Sequence, residues 1–117
     1  MTVMVLAVAG FLSGCWSAPD TPVNPQTVVG EYVFHADDSG APHDPDRLTL
    51  RADGTYVLLH MPDGRPGSEE RGKWQLFNDL GAPAIAFANF VHPILVRGKR
   101  LRLLVSDDLA QWYEKVR

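Results

Sequence analysis

The chain has 117 residues, of which 14 are acidic and 11 are basic, giving a formal net charge of −3 at pH 7. This length suits one compact domain rather than two, and the net negative charge argues against a nucleic-acid partner. Cys15 is the only cysteine, so the chain cannot form an intramolecular disulfide.

The first feature along the chain is an apolar run at positions 3–12. It is too short to cross a bilayer, which takes about 20 residues, and it has the length of a signal-peptide core, about 7 to 15 residues. The run ends in Leu12, Ser13, Gly14 and Cys15. This ending resembles the lipobox of bacterial lipoproteins, in which a small residue precedes a cysteine that is lipidated and becomes the N-terminus.

The resemblance implies that residues 1–14 are a signal peptide, that cleavage falls between Gly14 and Cys15, and that Cys15 carries the lipid. Two or more acyl chains anchor a protein durably, so the membrane of the bacterial envelope would be a partner through this anchor. Trp16 rather than Asp follows the cysteine, which favours the periplasmic face of the outer membrane where the host has two membranes. The alternative is that Cys15 is an incidental small residue at the edge of a buried strand.

The segment after the lipobox is rich in proline, with Pro19, Pro22 and Pro25 inside residues 17–26. Each proline fixes φ and removes a backbone donor, so the segment is predicted to form neither a helix nor a central strand. An extended proline-rich linker of this length reaches on the order of 30 Å. We therefore expect residues 15–27 to be a flexible tether that holds one domain, residues 28–117, clear of the membrane.

Residues 28–117 show a period-2 pattern of apolar side chains, interrupted by turn residues about every ten positions. The predicted strands are 28–35, 47–51, 55–61, 72–77, 84–91, 94–97, 100–106 and 112–116. Asp53-Gly54 between alternating segments is a strong hairpin signal because the tight turn needs positive φ. Only residues 107–111 favour a helical turn. The pattern predicts an all-β antiparallel meander that forms a barrel or sandwich of about 7–8 short strands.

Three short motifs give this meander a resemblance to a known class of barrel. Gly30-Glu31-Tyr32 opens the first strand, residues 48–56 follow, and Gly72-Lys73-Trp74 opens a middle strand. Their order resembles the small lipocalin-like, or calycin-type, domains of bacterial envelope lipoproteins. In lipocalins a Gly-x-Trp motif starts the first strand and its Trp plugs one end of the barrel; Tyr32 stands in that place here. The resemblance implies a barrel fold.

The domain is interpreted as a non-enzymatic binding module for a small hydrophobic ligand or a partner protein of the envelope. Tyr32, Tyr56, Trp74 and Trp112 are the candidate ligand-binding residues, and Trp112 with its neighbour Tyr113 is expected to stay partly exposed because adjacent strand residues face opposite ways. A protein-facing inhibitor, immunity or assembly module would instead show an exposed charged or aromatic face without a cavity. An envelope hydrolase would need a His and a carboxylate that converge in a cleft, and no catalytic motif is present.

Two polar clusters leave alternatives open. Residues 35–46 are rich in Asp and His, which suits either a divalent cation or a solvated connection between strands; their spacing matches no known metal loop, so we predict no metal and no cofactor. A basic cluster surrounds Gly98 and consists of Arg97, Lys99, Arg100 and Arg102. It could attract anionic lipid or peptidoglycan, or it could be a charged hairpin tip that prevents edge aggregation.

Overall fold

The structure is a computed structural model that describes residues 16–19, 22–36, 46–61, 67–78, 82–106, 108 and 110–117. These residues form one short helix, α1 (Pro25–Val28), and nine strands. The strands are β1 (Gly30–Ala36), β2 (Arg47–Leu50), β3 (Thr55–Leu59), β4 (Glu69–Lys73), β5 (Gln75–Phe77), β6 (Ala84–Phe87), β7 (Phe90–Arg97), β8 (Arg100–Ser106) and β9 (Gln111–Lys115).

All nine strands belong to one antiparallel sheet with the order β4-β3-β2-β1-β9-β8-β7-β6-β5. The first and last strands pair, with Phe34 opposite Tyr113. The two edge strands, β4 and β5, are neighbours in sequence and are separated only by Trp74. The sheet therefore curls back on itself into a nearly closed barrel with one open seam between β4 and β5. The predicted all-β antiparallel meander is confirmed.

Two of the predicted strands are each divided into two. The predicted strand 84–91 is interrupted by a turn at Ala88 and Asn89, whose φ angles are 54° and 67°. The predicted strand 72–77 is interrupted at Trp74, whose backbone N–H donates to Gly54 O at 2.9 Å and whose indole Nε1 donates to Arg51 O at 2.9 Å. Trp74 is thus bonded to the β2–β3 turn instead of continuing the ladder. The predicted helical turn at 107–111 falls partly outside the described residues, and Gln111 begins β9.

The inward side chains of the strands form one apolar core. Its largest fully buried members are Tyr32, Leu48, Leu50, Ile85, Ile94 and Leu103. Alternation explains the set, because residues two apart on a strand face the same side of the sheet. Burial of these side chains, at about 25 cal/mol per Å² of apolar surface, is the main stabilising contribution to the barrel.

Helix α1 covers one end of the barrel, which we call the closed end. The helix forms despite the prolines because Asn24 caps it, accepting from Gln26 N at 2.8 Å, and because Pro25 stands at the first helical position, where its missing N–H costs nothing. Val28 is fully buried, and the Tyr32 hydroxyl donates to Val28 O at 2.6 Å. Lys115 Nζ donates to Thr27 O at 2.7 Å. The expectation that residues 17–26 contain no helical residue is therefore wrong.

The described part of the N-terminal segment lies against the barrel. Ser17 forms a two-bond bridge with Val96, with Ser17 N to Val96 O at 3.0 Å and Val96 N to Ser17 O at 2.8 Å. Val23 is bonded through its backbone to the side-chain amide of Asn78. Within the described residues, no helix is long and apolar enough to cross a membrane. Where it is described, the expected tether is therefore held to the domain by backbone hydrogen bonds.

Candidate functional site

A cavity of about 420 Å³ opens at the end of the barrel opposite α1. Phe90 at the start of β7 and Val105 near the end of β8 mark this end, which we call the open end. The apolar lining comes from Leu58, Phe87, Ala88, Phe90, Val91 and Val105, and the polar lining from His60, Glu70, His92 and Tyr113. We call this space the end cavity.

The rim of the end cavity exposes apolar side chains to solvent. Phe90 is 68% exposed and Val91 is 63% exposed. Both follow the turn at Ala88 and Asn89, where two consecutive positive φ angles reverse the chain tightly. Phe90 also lines the end cavity, so its exposed ring is accessible at the mouth of that cavity.

A second space, the seam groove, runs along the open seam with a volume of about 640 Å³. Tyr56, Trp74 and Ala86 line it, and it shares Glu70 and Phe87 with the end cavity, so the two spaces adjoin at these residues. The Tyr56 ring lies over Gly72, where a Cβ would come within 2.7 Å of Tyr56 Cε1. Gly72 therefore leaves the room in which the Tyr56 ring packs.

The polar groups between the two spaces are mostly acceptors or neutral groups. The Tyr56 hydroxyl donates to Glu70 Oε2 at 2.8 Å, and burial, followed by this hydrogen bond, raises the pKa of Tyr56. Burial raises the pKa of Tyr113 to about 12, with smaller contributions from the carboxylates of Asp46 and Glu70. Within the described residues, no Lys or Arg lines the end cavity.

His92 is the most buried polar side chain of the cavity, at 7% exposure. Its Nδ1 lies 3.1 Å from Leu104 O, which fixes the tautomer with the proton on Nδ1 and leaves Nε2 as an acceptor. The ring stacks on Phe87 at 4.5 Å between centroids. Burial lowers the pKa of His92. A neutral imidazole is therefore favoured in the wall of the cavity.

Asp46 and His60 form the one imidazole–carboxylate pair among the described residues, with His60 Nδ1 2.9 Å from Asp46 Oδ2. The other carboxylate oxygen of Asp46 accepts from Met61 N at 3.1 Å. Asp46 thus ties the start of β2 to the end of β3. Among the described residues, no group of three His, Cys, Asp or Glu is placed to hold a metal ion. Most of the Asp/His-rich segment, residues 37–45, lies outside the described residues.

The structure brings together two of the four candidate ligand-binding residues. Tyr56 and Trp74 line the seam groove, whereas Tyr32 is fully buried at the closed end. Trp112 lies on the outer face of β9, stacked on His35 at 5.6 Å and covered by Arg102. Trp112 and its neighbour Tyr113 are each 8% exposed, so the expectation that this pair stays partly exposed is wrong. Gly14 and Cys15 lie outside the described residues.

Sequence reasoning missed the residues that form most of the end cavity. Phe87 and Phe90 flank the β6–β7 turn, and Glu70 faces inward from β4 because it pairs with Leu58. The turn carries no Asn-Gly or Asp-Gly signature, so the alternating pattern of residues 84–91 predicts one continuous strand. The local signal available was Asn89, since Asn adopts positive φ more readily than most residues.

Comparison with known proteins adds no relative: no protein-family model, no curated protein and no solved structure matches the chain. The class of the domain is therefore defined by its own structure. It is a small antiparallel barrel with one end covered by a helix and the other end open.

Proposed function

We propose that this protein is a lipid-anchored envelope protein whose barrel binds a small hydrophobic molecule in the end cavity. The observation that carries the proposal is the cavity itself. Its volume of about 420 Å³ falls in the range of small-molecule pockets, about 300 to 1,000 Å³. Tyr32 is buried beneath α1 and donates to Val28 O; in the lipocalin-like resemblance this residue would take the part of the plugging Trp.

The lining indicates which ligand would fit. Aromatic and aliphatic side chains, led by Phe87 and Phe90, would contact an apolar body. Glu70 and the neutral ring of His92 would accept hydrogen bonds from the polar end of the ligand. The ligand would therefore be a compact apolar molecule that carries a hydrogen-bond donor or a positive charge.

The cavity is tested by filling it. Val105→Trp places a large ring in the end cavity, whereas Val116→Trp places the same ring at an exposed valine of the C-terminal segment. The probe is N-phenylnaphthylamine, a neutral apolar dye, added to the purified full chain. We expect Val105→Trp to weaken dye binding by about tenfold, which corresponds to about 1.4 kcal/mol, and Val116→Trp to leave it unchanged. Equal dye affinity in the two variants would contradict the proposal that the dye binds in the end cavity.

Native mass spectrometry of the protein purified gently from its own membrane supplies the second readout. A reproducible small-mass adduct that is lost in Val105→Trp and kept in Val116→Trp would identify the ligand class. A monomer without any adduct would favour the alternative function, a module that binds a partner protein.

The anchor is tested at the cysteine. In Cys15→Ala the unprocessed precursor should accumulate and the acyl modification should disappear, because the thiol that receives the lipid is gone. Ser17→Ala is the matched control just beyond the lipobox and should be processed normally. Unchanged mobility and lipid labelling in Cys15→Ala would contradict the lipoprotein assignment.

The alternative function is a protein-facing module, and the exposed rim favours it. Phe90 is 68% exposed at this rim, and aromatic side chains are enriched at protein interfaces. Phe90→Ser would then abolish a cross-link to an envelope protein, whereas under the small-molecule function it would weaken dye binding, because Phe90 lines the end cavity. Loss of dye binding without any cross-linked partner would favour the small-molecule function.

A further inference from the structure

An aromatic–cation stack fixes the N-terminal segment to the outer face of the barrel. Arg102 Cζ lies 3.9 Å from the centroid of Trp16 and 4.1 Å from that of Trp112, so the guanidinium is held between two indoles. Arg100 lies 5.2 Å and Arg97 6.0 Å from the Trp16 centroid. These cation–π contacts attract Trp16 to the β7–β8 hairpin. We call Trp16 with Arg97, Lys99 and Arg100 the basic tip.

Backbone hydrogen bonds hold the same segment in place. β6 pairs with β7 only as far as Pro93, and beyond it Ser17 bonds to both backbone groups of Val96. The described start of the chain is therefore held against the β7–β8 hairpin at Ser17 as well as at Trp16.

The basic tip has an excess of positive charge on exposed side chains. Arg97, Lys99 and Arg100 are all exposed. Glu114 forms ion pairs with Arg100 and with Arg102 Nε, the latter at 3.3 Å. Among the described residues, Arg97 and Lys99 have no ion-pair partner. An indole beside unpaired cations is the composition that proteins present to a membrane interface.

We propose that the basic tip is a membrane-facing surface that binds anionic phospholipid headgroups and sets the orientation of the barrel on the bilayer. The proposal rests on the proposed anchor, since a lipid on Cys15 would be attached one residue away from Trp16. The lipid on Cys15 and the headgroup contacts of the basic tip would then attach the same side of the protein to the bilayer.

The orientation has a consequence for the end cavity. β7 begins with Phe90 at the open end and ends with Arg97 at the basic tip, eight residues that span about 23 Å. With the basic tip on the bilayer, the open end faces away from the membrane. The ligand would therefore exchange with the aqueous compartment rather than directly with the lipid beneath the protein.

The first test compares vesicles of phosphatidylcholine with and without phosphatidylglycerol, using the full protein purified from membranes. The measured quantity is the affinity for vesicles with phosphatidylglycerol divided by the affinity for vesicles without it. This ratio reports the headgroup contact alone, because an acyl anchor inserts into both kinds of vesicle. Each cation near an anionic surface contributes about fivefold to binding. The double variant Arg97→Gln with Lys99→Gln should therefore lower the ratio by about 25-fold.

The matched control removes the same charge elsewhere. Arg71→Gln with Lys73→Gln changes two exposed cations of edge strand β4, and it should leave the ratio nearly unchanged. An equal fall in both double variants would show a net-charge effect and overturn the proposal, as would an unchanged ratio at the basic tip. Failure of the anchor is distinguishable, because it appears as an unmodified Cys15 in the mass spectrum of the same sample.

A second test needs no substitution. Acylation of lysine amines by a water-soluble reagent, read by mass spectrometry, should fall at Lys99 and not at Lys73 when anionic vesicles are added. Protection of Lys73 instead of Lys99 would overturn the proposal, because the contact would then lie on edge strand β4 and not at the basic tip. Protection of Lys99 that is equal on neutral and anionic vesicles would assign the contact to the anchor alone, and it would likewise overturn the headgroup contact.

Discussion

His92 shows how one residue links the core to the candidate site. Its ring lies between Phe87 and Tyr113, with centroid distances of 4.5 Å and 6.2 Å. The same ring lines the end cavity. Burial disfavours the charged imidazolium in the folded state, because charge leaves water for an apolar surrounding. Protonation of this residue therefore opposes folding.

The pH dependence follows from that direction. Since the folded-state pKa of His92 is lowered, the unfolded chain binds its proton first as pH falls below about 6.5, and stability is lost between that pH and the lower folded-state pKa. The slope contributed by one proton is at most about 1.4 kcal/mol per pH unit. Urea unfolding measured near pH 5 and near pH 8 should show this loss.

His92→Asn tests the assignment, because Asn keeps a donor for Leu104 O without a titrating ring. The variant should be less stable at both pH values and should show a smaller difference between them. His35→Asn removes an exposed ring on the outer face and should keep the loss that His92 causes. An unchanged pH dependence in His92→Asn would contradict this explanation.

At the scale of elements, the β6–β7 hairpin turns through a strained backbone conformation. Ala88 has φ of 54°, a left-handed conformation in which an L side chain is strained by about 1 kcal/mol or more. The hairpins at Gly54 and Gly98, with φ of 88° and 62°, avoid this strain. The β6–β7 turn positions Phe87 and Phe90, so the strain lies at the candidate site.

Ala88→Gly should therefore stabilise the protein. Relief of the left-handed strain exceeds the greater chain entropy of Gly and the lost methyl contact, leaving a gain of about 0.5 kcal/mol in the free energy of unfolding. Ala86→Gly, inside β6, is the matched control and should lose roughly 0.5 to 1 kcal/mol. Urea unfolding followed by tryptophan fluorescence measures both. Destabilisation of Ala88→Gly to the extent of Ala86→Gly would show that the turn is not strained.

The elements that sequence predicted are those whose turn chemistry is explicit. The Asp53-Gly54 hairpin and the Gly98 turn can be predicted from the sequence, because each contains a glycine that can adopt the positive φ of a tight turn. The Ala88-Asn89 turn does not, and the alternating pattern runs through it without a break. Helix α1 was missed because Pro25 breaks a helix interior yet suits its first position.

The candidate site was only half predictable for a related reason. Tyr56 and Trp74 stood out as aromatic residues next to recognisable motifs, and both line the seam groove. Alternation identifies which face of a strand is buried, but it does not say where along the barrel a side chain lies. Alternation therefore does not separate Tyr32, at the closed end, from Tyr56. Trp112 differs in its face, because its neighbour Tyr113 is the inward residue of β9.

At the scale of the whole molecule, the three tyrosines lie at three different places in the barrel. Tyr32 lies at the closed end, Tyr56 at the seam and Tyr113 at the open end. Burial raises the pKa of each, for Tyr113 to about 12. The chain has no other tyrosine, so tyrosinate formation in this protein reports on opening of the barrel.

This gives an alkaline prediction of definite sign. Because the folded-state pKa values are raised, stability is intact below the unfolded value of about 10 and is lost as pH rises through the folded values. Three protons give a slope of at most about 4 kcal/mol per pH unit. Tyrosinate absorbance should therefore rise cooperatively, together with the loss of far-ultraviolet circular dichroism, whereas the urea-unfolded chain should titrate near pH 10. Tyr113→Phe keeps the ring but removes one titrating hydroxyl, so it should reduce the slope of stability against pH by about a third. Formation of tyrosinate near pH 10 while the circular dichroism still shows an intact barrel would contradict the burial of the tyrosines.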